Sequence, residues 1–412
     1  MRQQIDQESL PPASGAISPS PRRFSVEVKE GGREILQSLV PDWTRLCNET
    51  GDEIFYRPEW IRCYLNAFAP DSAIVAITVW AEDQLRGLLP LVREPVRVSG
   101  LPVTRLTIPA NLHTFRTGPA ICCGDEGNLV LESLWKAMKT VPNWDMFDVS
   151  QVLDHSGVDR LFALAAGDGF PVTRKRTSQT LYLRVDGSAD TAKPWIPELR
   201  SKFRSHLRRT RRQLEEQGKL EIKHFQVADP TALHAFYDLE GSGWKGAEGT
   251  AIKCDPRIRQ FYDSIAAAAA EHDYLSIDLL ELGGKAIAGH LGFNNRGHYC
   301  LVKAGYDETF RRYGPGQLLV NEILAQYRER RLHRFDFVGP ATWDESRWAS
   351  QRRTNYRVFI FRNNWYGHLL HTIRISARDS ILRIAGKYDD ESRPMELKSK
   401  PQGSEKEAGA EG

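Results

Sequence analysis

Apolar and polar positions along this chain follow two periods, and the period predicts the elements. "FSVEVKE" at 24–30 alternates as a half-buried strand does. "GREILQSLVPDWTRLCNE" carries Ile35, Leu36, Leu39, Trp43 and Leu46 at helical spacing, and "YRPEWIRCYLNAFA" is a second helix with Pro58 near its first turn. "AIVAITVW" and "QLRGLLPLVRE" predict a strand pair around the polar turn "AEDQ". A helix "LVLESLWKAMKTV", a strand "MFDVSQV", a helix "VDRLFALAAGDGF" and a strand "QTLYLRV" complete a first half.

The order then repeats. "LEIKHFQ" is a strand, "TALHAFYDLEGSGW" and "PRIRQFYDSIAAAAAEH" are helices, and "LSIDLLEL" and "KAIAGHLGFNN" are strands joined by "GGK". "HYCLVKAGY" is a strand, "GPGQLLVNEILAQYRERR" a helix, and "RFDFVG" and "YRVFIFRN" are strands. Two halves with one order imply an internal duplication of fold with little sequence identity. The first half departs from the pattern in "SGLPVTRLTIPANLHTFRTGPAICC", which has no glycine cluster to match the "GPG" of the second.

Between the halves, Leu199, Phe203, Leu207 and Leu214 mark a helix that Gly218 ends. From Arg200 to Arg212 it carries seven basic residues and no acid. A solvated helix packed by its apolar stripe accounts for this pattern, and so does a surface for an anionic lipid head group or phosphate. No aromatic or zinc-finger pattern accompanies the run to suggest nucleic acid.

Composition narrows the class. Over 412 residues, 41% are apolar and 26% charged, and the net charge is +3, so affinity for a polyanion has to come from a local patch. The six cysteines show no CxxC pair and no ligand spacing with histidine, which predicts reduced thiols and no metal site. The ends, "MRQQIDQESLPPASGAISPSPRRF" and "ESRPMELKSKPQGSEKEAGAEG", have the composition of disordered tails, and nowhere do about 18 apolar residues run together. A cytoplasmic protein is expected.

The segment "DETFRRYGPGQLLVNEIL" at 307–324 carries the candidate chemistry. Arg311, Gly314 and Gly316 read R-x-x-G-x-G between a strand and a helix. The first amides of a helix lack intrahelical partners, its dipole favours anions, and glycine lets a phosphate approach. Arg311 and Arg312 add charge-assisted donors. A Walker loop would need Lys-Ser/Thr where Gln317 and Leu318 stand, and no GxGxxG is present.

"GWKG" at 243–246, "IAGHLGF" at 287–293, "KAGYDETFRRYGPGQLL" at 303–319 and "FDFVG" at 335–339 resemble the cellulose-biosynthesis-type (CelD-like) acetyltransferases of the GNAT superfamily. These are similar to the Fem-type aminoacyl transferases, and "SKFRSHLRRTRRQLEEQG" is similar to the basic interdomain helix of that group. The resemblance is strong in the second half and architectural in the first. It implies mixed α/β sheets in two tandem GNAT-like domains, at 25–190 and 219–388. A basic linker helix at 191–218 would join them, with tails at 1–24 and 389–412. It implies acetyl-CoA or another acyl-CoA as co-substrate, no metal, and direct transfer to a polysaccharide, lipid precursor or amine. A Fem-type transferase using aminoacyl-tRNA and a degenerate GNAT pair acting as a scaffold are the alternatives. The donor's pyrophosphate would meet Arg311, Arg312, Gly314, Gly316 and Gln317. His290, Asp336 and Tyr306 are the expected catalytic groups: base or water holder, base or substrate binder, and acid for the leaving thiolate. Trp244, Lys245, Trp343 and Arg347 would meet the acceptor. Relatives often carry a Tyr-Lys after the "FDF-G" strand; "PATWDESRW" has no lysine there, and Arg347 offers a cation instead. Cys300 stands on an apolar strand with no histidine partner evident. The basic helix would give contact with the inner face of the membrane or another anionic surface.

Overall fold

The computed structural model describes residues 24–51, 53–185, 199–348 and 351–384. The expected tails and the linker positions 191–198 lie outside the described residues, as do the side chains of Trp244, Lys245 and Trp343.

The chain opens with strand β1 (Phe24–Gly31) and a helix expected to run unbroken from residue 34. It forms two pieces, α1 (Glu34–Gln37) and α2 (Val40–Thr50). Pro41, which has no N–H, fits only the first turn of a helix, so the helix restarts there. Helix α3 (Pro58–Phe68) leads to strands β2 (Ala73–Ala81), β3 (Gln84–Val98) and β4 (Leu101–Thr107). Residues 108–119 then leave the sheet, and β5 (Ala120–Ile121) returns to pair with Gly87 and Leu88 of β3. Helix α4 (Gly124–Thr140) begins five residues before the apolar run at 129, behind Gly124 at φ +73°. Strand β6 (Met146–Leu153), helix α5 (Gly157–Gly167) and strand β7 (Val172–Arg184) follow.

Helix α6 (Ser201–Glu215) buries Phe203, Leu207, Thr210 and Leu214. Strand β8 (Leu220–Phe225) precedes α7 (Pro230–Glu240), capped by Asp229, then α8 (Trp244–Ala247) and α9 (Pro256–Glu271), capped by Asp255. Strands β9 (Leu275–Leu282) and β10 (Lys285–Asn295) meet at Gly283 and Gly284, whose φ of +58° and +84° suit a two-residue hairpin. Strand β11 (His298–Tyr306), helix α10 (Pro315–Ala325) and the short strand β12 (Arg334–Asp336) form the centre of the second half. Helix α11 (Trp343–Ser346), strand β13 (Gln351–Phe361) and helix α12 (Trp365–Ile384) end the described chain.

One mixed sheet of 13 strands carries these elements, in the order β1-β2-β3-β4-β6-β13-β7-β12-β11-β10-β9-β8, with β5 on β3. Each half lends its last strand to the other. Strand β13 lies between β6 and β7, and β7 lies between β13 and β12. The cores record the exchange: Val358 and Ile360 of β13 are buried with first-half residues, and Leu181 and Leu183 of β7 with second-half residues. The buried apolar surface therefore runs through the seam, and mutual burial is the main force holding the halves together.

Candidate active site

Strands β11 and β12 pair in parallel only from His298–Cys300 to Arg334–Asp336, and β12 then stops while β11 runs on to Tyr306. The gap this leaves faces the start of α10. Asp307 Oδ1 accepts from the Thr309 amide (3.0 Å) and hydroxyl (2.7 Å) and starts a 3₁₀ turn at Glu308–Tyr313. Gly314 reverses the chain at φ +59°, ψ +52°, which glycine adopts without a Cβ penalty, and Pro315 presets the first helical φ.

The turn's amides are partly spent. Gly314 N–H donates to the Arg311 carbonyl (3.1 Å), and the Gln317 and Leu318 N–H groups donate to the Gly314 carbonyl (3.0 and 3.1 Å). These bonds leave out the Gly316 N–H, and a Cβ built on Gly316 would meet nothing within 4 Å. A phosphate oxygen fits that open space. The Arg311 side chain is 69% exposed and only 3.8 Å from Glu308, so it can turn to an anion. Arg312 lies 4.6 Å over the Tyr313 ring and donates to its hydroxyl (2.5 Å). The Gln317 side-chain oxygen accepts from the Trp348 indole. Arg312 and Tyr313, with Gln213, Glu216 and Gln217 at the end of α6, line a hollow of about 490 Å³.

Trp348 is buried against Phe203 of α6 (5.1 Å, edge to face), and the Arg347 guanidinium lies 3.6 Å over that ring. Tyr306 is half-buried; burial first, and then Glu308, push its hydroxyl above the usual phenol value, so it stays a proton donor. Its carbonyl accepts from the Ser242 hydroxyl (2.6 Å), and a Cβ on Gly243 would touch Glu308 at 2.8 Å. The "GWKG" segment thus borders the glycine turn.

His290 and Asp336 lie on opposite faces of the sheet. His290 stands directly across from Asp278, whose carboxylate accepts from the Tyr299 hydroxyl (3.1 Å) on the α10 side. It is 1% exposed, and its Nδ1 has no partner among the described residues. Burial pushes its pKa down to about 4 against the pull of Asp278, so the ring is neutral near pH 7. Asp336 stands beside Cys300 on the α7 and α9 side. Burial opposes its ionisation, but Arg116 and His298 hold its pKa far below the carboxylate range. Arg116 reaches it from residues 108–119 of the first half and also pairs with Glu53 (2.7 Å). His298 Nε2 is 3.5 Å from Asp336 and 3.4 Å from Cys300 Sγ.

The geometry therefore gathers Gly314, Gly316, Gln317, Tyr306 and Trp348 around one opening, with His290 buried on that same α10 face of the sheet and Asp336 on the opposite face. Sequence reasoning missed Arg116, Glu53 and His298. Only His298 left a local signal, since residues two apart on a strand share a face and Cys300 thereby gains its histidine. Among the described residues no cluster of three His, Cys, Asp or Glu is placed to hold a metal.

Residues 201–373 match the family model of the acetyltransferase (GNAT) domain, which is under half of the 412 residues. No curated protein sequence matches the chain. The crystal structure of FemX is similar over 80% of this chain and 98% of its own, at 12% identity and a TM-score of 0.54. A tandem GNAT protein from the clavulanic acid biosynthesis pathway is similar over 81% of this chain and 98% of its own, at 11% identity and a TM-score of 0.42. A GCN5-related N-acetyltransferase from Sphaerobacter thermophilus is similar over 82% of this chain and 96% of its own, at 12% identity and a TM-score of 0.34. The likeness to FemX is one of fold.

Proposed function

We propose that this chain is an acyl-CoA-dependent acyltransferase of GNAT type that acts on a polysaccharide, lipid-precursor or amine acceptor. The observation that carries the reading is the match of 201–373 to the GNAT acetyltransferase domain, with an open glycine turn beside the parted strands β11 and β12 inside it. The bound thioester supplies an activated acyl group. Gly316 N–H and Arg311 hold its pyrophosphate. The acceptor's nitrogen or oxygen attacks the thioester carbonyl and releases its proton to water, the C–S bond breaks, and Tyr306 gives its proton to the leaving sulfur and regains one from water. Asp336 stays ionised and paired and fixes the turn after β12; His290 stays neutral and buried. Trp244, Lys245, Trp343 and Arg347 are proposed to meet the acceptor. The protein would work in the cytoplasm.

Calorimetry with acetyl-CoA tests this. A valine at position 316 fills the space a phosphate needs, so Gly316→Val should abolish binding in a folded protein. Arg311→Ala should cost less, about 1–3 kcal/mol for one charge-assisted bond. An unmodified protein that binds no acetyl-CoA, or a Gly316→Val protein that binds it equally well, sinks the reading.

A second reading, transfer from aminoacyl-tRNA, draws on the exposed Lys202, Arg204, Arg208, Arg209 and Arg212 of α6. Binding of tRNA with a steep salt slope would select it.

A further inference from the structure

Val338 has φ +43°, in a region that β-branched residues avoid because Cβ crowds the backbone. The Gly339 N–H folds back onto the Phe337 carbonyl, so residues 337–339 form a tight three-residue turn. This turn ends β12 after three residues. Had the strand continued, it would have met the remaining length of β11, from Leu301 to Tyr306, and closed the gap at α10.

The surroundings hold the strained turn in place. The Val338 N–H donates to Asp336 Oδ1 (2.9 Å), and the Phe337 N–H donates to the Leu181 carbonyl (3.0 Å). Asp336 is itself gripped at its other oxygen by Arg116, which is 1% exposed and anchored by Glu53 at 2.7 Å. Arg116 belongs to residues 108–119, the excursion between β4 and β5 of the first half, and it lies 220 positions from Asp336 in sequence.

We infer that Arg116 is a positioning residue: through Asp336 it holds Val338 in its strained turn and so keeps the second half's opening apart. The first half thereby sets the geometry of a site it does not line. The claim about acetyl-CoA rests on the function proposed above; the claim about the turn does not.

Two measurements separate these. Hydrogen exchange followed by mass spectrometry reads the turn directly. In Arg116→Gln, the amides of 336–341 should lose protection, because the carboxylate that accepts from Val338 is no longer fixed. Adding Val338→Gly should restore it, since glycine adopts φ > 0 without the anchor. Acetyl-CoA affinity should follow: about tenfold weaker in Arg116→Gln if about a tenth of molecules keep the open turn, and near the unmodified value in the double variant. A merely structural arginine would not be rescued by a glycine. If Arg116→Gln does not fold, Asp336→Ala, with and without Val338→Gly, takes its place: it removes the acceptor while Arg116 keeps Glu53. Unchanged exchange at 336–341 in the single variant, or loss that Val338→Gly does not reverse, overturns the inference. If the unmodified protein binds no acetyl-CoA, the proposed function fails and the exchange data still judge the turn.

Discussion

The two halves part their central strands in opposite ways. In the second, β11 is continuous and β12 is cut short at Asp336. In the first, β6 runs unbroken from Met146 to Leu153, and its parallel neighbour β4 stops at Thr107, leaves for residues 108–119 and returns as β5. Each gap faces a helix that starts behind a left-handed glycine, Gly124 at φ +73° or Gly314 at φ +59°. In the first half, a cavity of about 700 Å³ lies beside β5 and the start of α4, lined by Ala120, Cys122, Gly124, Gly127 and His155. In the second, Trp348 and Gln317 close on one another beside the turn. On the function and bracing proposed above, the two openings have different duties: the excursion from β4 sends Arg116 to Asp336 of the other half, and the second opening takes the donor.

The bracing is where the largest effect should appear. Arg116→Ala leaves Asp336 and Glu53 without their shared guanidinium. An uncompensated buried charge costs about 3–5 kcal/mol, a large share of a typical stability. Urea unfolding should show a midpoint well below that of the unmodified protein. A loss under about 1 kcal/mol would show that the seam does not depend on this pair and would weaken the contrast between the halves.

Acid should act next, through a histidine held neutral by burial in each half. His290 ionises near 6.5 in the unfolded chain but only near 4 when buried. Its neutral form is the stable one in the fold. Its contribution is complete above pH 6.5 and is lost as pH falls toward 4, by about 3 kcal/mol at most. Asp278, lowered to about 2 by its bonds to His224 and Arg330 against the opposing effect of burial, begins to lose its share only below pH 3.8. Stability measured from pH 7 to 4 should therefore fall, and His290→Leu should flatten the curve. A pH profile that stays steep in His290→Leu would assign the acid response to another group, with His113, also lowered to about 4 by burial, first in line.

Local patterns carried most of the fold and little of this network. Two strand-like runs joined by the tight turn "GGK" marked β9 and β10, and the apolar stripe of α6 was legible from Phe203, Leu207 and Leu214. Strand β7 begins at Val172, but "TRKRTS" shows no apolar face; those residues form a strand because β13 pairs with them at the seam. The start of α4 hid behind Gly124 and Gly127, whose weak helix propensity reads as a turn. R-x-x-G-x-G was visible because it is contiguous. The pairing of Arg116 with Asp336 was not, since burial and partner choice across 220 positions are decided by the assembled sheet.

The glycines sharpen the comparison at smaller cost. Gly124→Ala and Gly314→Ala each force a Cβ into left-handed backbone, worth about 1–2 kcal/mol. Thermal unfolding should shift similarly for both. Acetyl-CoA affinity should change only for Gly314→Ala, because the donor is expected in the second half. Equal losses of affinity would place donor binding in the first-half cavity as well.

The smallest effect on stability is expected on α6. Arg211 pairs with Glu322 of α10 and with Glu215 (2.9 Å), so it belongs to the helix's attachment. Arg208 and Arg209 are exposed, and Arg212 is 75% exposed with Glu216 no nearer than 3.8 Å. Exposed charges of this kind contribute little to folding, within about 0.5 kcal/mol. Changing Arg208, Arg209 and Arg212 to Gln should leave the melting temperature in place, whereas Arg211→Gln should lower it. The triple variant should still weaken binding to vesicles rich in anionic lipid, because the helix would keep few charges on its outer face. Binding that stays as strong and as salt-sensitive as before would reduce these arginines to a solvated surface, and the tie between the basic helix and an anionic acceptor would go with them.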